Sequence, residues 1–68
     1  MLFSVDVRRG TQDLASLMLK MREWLDTQRF EPDTFRHTTD REGVTVHVQF
    51  KIEGEANAFA RVFAGRRL

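Results

Sequence analysis

The chain has no cysteine among its 68 residues. Disulfides and thiolate metal sites are therefore excluded, and with them a secreted scaffold held by a disulfide framework. Long apolar runs are missing too: Met1-Leu2-Phe3-Ser4-Val5 is broken by Asp6. That run is shorter than the apolar core of a secretory signal and far short of the roughly 20 residues of a membrane span. The expectation is a reducing, cytoplasmic setting with no membrane contact. Neither sign of charge dominates, since eleven basic residues face ten acidic ones for a net +1, so charge balance favours no particular partner. With one proline, four glycines and no repeat or low-complexity tract, the chain reads as one small α/β domain over residues 1–68.

A chain this short buries a modest core, which must be dense or be helped by association. Apolar residues make up 41% of the sequence, enough for one such core and too many for disorder. The charges are unevenly distributed. Every acid lies between Asp6 and Glu55, whereas residues 56–68 carry Arg61, Arg66 and Arg67 with no acid. Nine of the eleven bases are arginine, a side chain suited to phosphate and carboxylate recognition, although a GC-rich genome produces the same bias.

From Leu2 to Arg8 apolar and polar residues alternate, with Phe3, Val5 and Val7 on one side and Ser4, Asp6 and Arg8 on the other, which predicts a half-buried strand. Gly10 breaks the pattern. Thr11 is the expected N-cap of a helix running from Gln12 to about Arg29, with Asp13 favourably placed in its first turn. Leu14, Leu17, Met18, Met21, Trp24 and Leu25 fall within an arc of about 120° on that helix, the stripe of a helix lying on a sheet. Pro32 stops it, and Phe30 is expected to fold back under its end.

Thr34 to Thr39 predicts a second strand and Asp40-Arg41-Glu42-Gly43 a turn, with glycine supplying positive φ. Val44, Val46, Val48, Phe50 and Ile52 alternate with Thr45, His47, Gln49 and Lys51, predicting a nine-residue strand with one buried face. Gly54 is expected to end it. Glu55 to Ala64 then reads as a second helix burying Ala56, Phe59, Ala60, Val62 and Phe63, with Gly65 as its C′ residue.

The element order is therefore β-α-β-β-α, an α+β class. A split β-α-β crossover places the first strand beside the third, giving a three-stranded sheet of order 1-3-2 with both helices on one face. The layout is similar in topology to a ferredoxin-like fold truncated before its last strand, and a shared topology does not carry a function with it. Truncation leaves the first strand as an open edge. The reading it suggests is a non-enzymatic protein-interaction module, a homodimer or a binder of another protein. Its interface is then the backbone of Phe3, Ser4, Val5, Asp6 and Val7, with Leu19 and Trp24 as secondary contacts.

Two alternatives remain. Arg8, Arg9, Arg61, Arg66 and Arg67 gathered at one end would suit nucleic acid. Against this, Phe3, Phe35 and Phe50 all point inward and leave no stacking platform, and Asp6 shares the outer face. A small-ligand regulatory module is the other, with the Arg9-Gly10-Thr11 turn offering amides to an anion. No cofactor or metal is expected: if Thr39 opposes Val44, the two histidines, His37 and His47, lie on opposite faces. Ser4, Asp6 and His47 share the open face and are the residue types of a hydrolytic triad, but a flat sheet supplies neither oxyanion hole nor cleft.

Overall fold

Hydrophobic alternation builds three long antiparallel strands, β1 (Phe3–Arg9), β2 (Thr34–Asp40) and β3 (Gly43–Phe50), and two amphipathic helices, α1 (Leu14–Gln28) and α2 (Glu53–Val62). A computed structural model describes residues 1–10 and 14–68. The cap expected at Thr11, the carboxylate at Asp13 and the amide of Thr11 lie outside the described residues. A fourth strand, β4 (Arg66–Arg67), completes a sheet of order β2-β3-β1-β4. This order is compatible with a ferredoxin-like arrangement. The sheet thus has four strands and not three. Arg66 and Arg67 carry no apolar alternation, and only their pairing with β1 makes them a strand.

The register follows the hydrophobic pattern. Val5 faces Val48 and Val7 faces Val46 across β1 and β3, while Thr39 faces Val44 across β2 and β3. Slipping by one residue would turn every one of these valines to water. Val5, Val7, Val46, Val48 and Phe50 are fully buried, beneath Met21 and Leu25 from α1 and Ala56 and Phe59 from α2. Each large side chain so buried contributes about 1.5–3 kcal/mol. Trp24 is half-buried in an aromatic cluster, edge-on to Phe30 at 5.6 Å, Phe59 at 5.8 Å and Phe63 at 5.8 Å. Phe30 thus does tuck under the end of α1.

The chain departs from the predicted pattern at α2, which starts at Glu53 rather than Glu55. Phe50 therefore ends β3, and Ile52, expected in the strand, is the N-cap and is 58% exposed. Gly54 sits in the first turn of α2 instead of terminating the strand. Val62, expected in the buried arc, is 52% exposed. At about 100° per residue it lies some 60° beyond Phe59, off the stripe formed by Ala56, Phe59, Ala60 and Phe63.

Both helices close in the same way. Arg29 and Ala64 adopt positive φ of 59° and 52°, and the following residues donate back, Phe30 N to Leu25 O at 2.9 Å and Gly65 N to Ala60 O at 2.8 Å. These are Schellman closures. The C′ residue of α2 is therefore Ala64, and Gly65 stands one place later for a different reason. A Cβ there would come within 2.8 Å of Val5 and 2.9 Å of Val7. Gly65 lets the chain pass close over β1 and enter β4.

Candidate functional site

On the helix-free face of the sheet, side chains from neighbouring strands form rows of hydrogen bonds. His47 Nδ1 lies 2.8 Å from Asp6 Oδ1, and its Nε2 lies 3.2 Å from Thr38 Oγ1. In the next row Gln49 Nε2 donates to Ser4 Oγ at 3.1 Å, and Thr34 Oγ1 donates to Gln49 Oε1 at 2.9 Å. At the other end Arg8 donates to Thr45 at 3.0 Å and reaches Glu42 at 3.2 Å and Asp40 at 3.4 Å. A shallow depression of about 360 Å³ lies over the middle rows, lined by Ser4, Asp6, Arg36, Thr38, His47 and Leu68 among others.

The register brings Asp6 and His47 together as the sequence implies, but Ser4 does not join them. It is a residue pair away and bonded to Gln49, so the histidine meets Thr38 instead. The chain Asp6–His47–Thr38 orients the imidazole and binds β2 and β1 across β3. For acyl chemistry it would also need donors aimed at a developing oxyanion. Around Thr38 the face is an open sheet surface. His37 falls on the helix side, opposite Val46, so the two histidines do lie on opposite faces. Among the described residues no group of three or more His, Asp, Glu or Cys side chains is placed to hold a metal ion.

The predicted interface residues are placed differently from expectation. Val5 pairs with Arg67 and Asp6 with Arg66, and Leu68 N donates to Ser4 O at 3.0 Å. The edge of β1 expected to be open is covered from Ser4 to Asp6 by residues 66–68. Arg67 fixes that tail. Its guanidinium lies over Phe3, 5.5 Å from the ring centroid, 3.7 Å from Glu53 and in hydrogen-bond contact with Asn57, and its Nε is buried without a partner. Trp24 is engaged in the aromatic cluster, while Leu19 stands out at 58% exposure on α1.

The five arginines of the nucleic-acid alternative are partly engaged by carboxylates and carbonyls. Arg8 contacts two carboxylates and Arg67 one. Arg9 donates to the carbonyls of Arg8 and Phe63. Arg61 is exposed at the end of α2, and Arg66 is exposed on the open face opposite Asp6. Acidic groups thus stand among them, which disfavours a phosphate backbone.

With β1 flanked on both sides, the long unpaired edge is that of β2. It runs seven residues, from Thr34 to Asp40, and the last five side chains are exposed. The opposite edge, β4, is two arginines long. The turn after β2 is firmly set. Asp40 Oδ1 accepts from the amides of Glu42 at 2.8 Å and Gly43 at 3.0 Å. Those amides, foremost that of Glu42, hold the Asp40 carboxyl below its ordinary value of 3.8, with Arg8 adding to the effect against the opposing desolvation.

The sequence matches no protein-family model, no curated protein and no solved structure. No helix among the described residues is long and apolar enough to cross a membrane.

Proposed function

We propose that this chain is a small, non-enzymatic interaction module that binds through strand addition at β2, to a second copy or to another protein. The observation carrying this reading is the edge of β2, a seven-residue strand with nothing beside it among the described residues. An unpaired strand offers a row of N–H and C=O groups to any extended segment, and strand addition is a common recognition mode. A cytoplasmic setting is part of this proposal, and a sequence without cysteine is in keeping with it.

Amide hydrogen exchange is the test. It should be read at rising protein concentration, and again with a synthetic peptide of the 34–40 sequence as strand probe. The reading expects added protection within β2 in at least one of the two. No change at β2 in either, or protection confined to the helices, overturns it.

A further inference from the structure

The β2 edge is complementary to itself, and we infer that its occupant is a second copy of this chain, joined antiparallel about a two-fold axis at Thr38. This rests on the reading of β2 as the interaction edge. Residues opposite each other in an antiparallel pair share a face. The axis must therefore pass through a residue, not between two. An axis at Arg36 would set two arginines against each other, and like charges directly opposite are unfavourable. An axis at His37 would oppose Arg36 to Thr38 and Thr34 to Asp40, leaving both charges without an opposite. An axis at Thr38 puts Arg36 against Asp40 of the second copy, twice, with Thr38 facing its own counterpart.

The state of the two charges fits this register. Arg36 is exposed on the open face of the edge strand, with no hydrogen bond or ion pair among the described residues. Asp40 is anchored by the two turn amides through Oδ1, and its Oδ2 is only 3.4 Å from the exposed Arg8 guanidinium. It is a fixed carboxylate with acceptor capacity to spare. One exposed cation and one positioned anion, four residues apart on one face of an edge strand, make a self-matching pair. The two-fold would run perpendicular to the sheet, so the helices of both copies stay on the same side of a continuous eight-stranded sheet.

Reciprocal charge reversal tests this. Arg36→Glu alone sets two carboxylates against each other across the axis, and Asp40→Lys alone sets two cations against each other. Each variant should therefore self-associate at least about tenfold more weakly than the parent. An equimolar mixture lets one variant's paired carboxylates meet the other's paired cations, and should dimerise as the parent does. Asp40→Lys also removes the turn cap, so its fold is checked by thermal unfolding. Thr38→Cys serves as a further variant: mild oxidation should give a covalent dimer across the axis.

Two variants that dimerise like the parent, or a mixture no better than its components, overturn the register. If β2 amides are still protected in that dimer, the edge reading stands and only the register fails. A dimer with unprotected β2 overturns both. A parent that stays monomeric at every concentration overturns the second copy as occupant, and the strand peptide then decides the edge.

Discussion

Asp6 of β1 and Arg66 of β4 are cross-strand partners, and this pairing covers β1 and leaves β2 as the long unpaired edge of the sheet. The chain shields its most apolar outer strand with its own tail and leaves a polar strand exposed. Short, charged strands are a usual way to blunt an edge. Here both edges carry charge, and β2 is the long one.

The tail depends on Arg67, whose guanidinium lies over Phe3 and reaches Glu53 and Asn57. Arg67→Ala should destabilise the fold by about 1 kcal/mol through lost packing and cation–π contact. It should also expose the edge of β1. Chemical denaturation reads the first effect, and faster amide exchange at Ser4 to Val7 reads the second.

Phe50 and Val46 are fully buried in the central strand β3. Phe50→Ala should cost about 3–5 kcal/mol, which is most of the stability a domain this small possesses. Val46→Ala, which removes two carbons, should cost about 2 kcal/mol. Thermal unfolding of the two variants should rank them in that order.

Arg29 and Ala64 hold left-handed conformations at the ends of α1 and α2. Glycine relieves the Cβ strain there at some entropic cost. Arg29→Gly and Ala64→Gly should each stabilise by about 0.5 kcal/mol. Gly65→Ala should act oppositely, since its methyl meets Val5 and Val7. A destabilising Ala64→Gly together with a neutral Gly65→Ala would reverse this assignment of the two positions.

The lowered Asp40 carboxyl gives a pH dependence of definite sign. A group whose folded pKa lies below its unfolded value stabilises above the unfolded value of 3.8, and that contribution is lost as pH falls through the folded pKa. Acidification below 3.8 should therefore loosen the β2–β3 turn, where Arg8 and Glu42 are the charged groups facing Asp40. Amide exchange at Glu42 and Gly43 should accelerate over that range. Asp40→Asn should exchange faster at neutral pH and lose most of the acid dependence.

Much of the fold is legible in the sequence because period-two alternation fixes both a strand and its face. It places Val5, Val7, Val46 and Val48 in one core, and the Asp40–Gly43 turn then sets the register that puts Thr39 against Val44. The same alternation puts Asp6 and His47 on one face of neighbouring strands. What the sequence hides depends on contacts between distant parts of the chain. Arg66 and Arg67 become a strand only because Gly65 lets the backbone lie on Val5 and Val7. Thr38 meets His47 on a diagonal between strands that alternation does not encode. Ile52 loses its place in the strand because α2 begins two residues early, and Val62 falls just beyond the edge of the buried stripe.

Association through β2 and not through β1 is directly measurable, because the chain has no cysteine of its own. Single cysteines at Thr38 on β2 and at Arg66 on β4 are oxidised under identical mild conditions, and covalent dimer is followed over time. Thr38→Cys should crosslink quickly to a species near 16 kDa, twice the 8.0 kDa chain, while Arg66→Cys lags behind. Equal rates at the two sites, or faster crosslinking at Arg66, would contradict it.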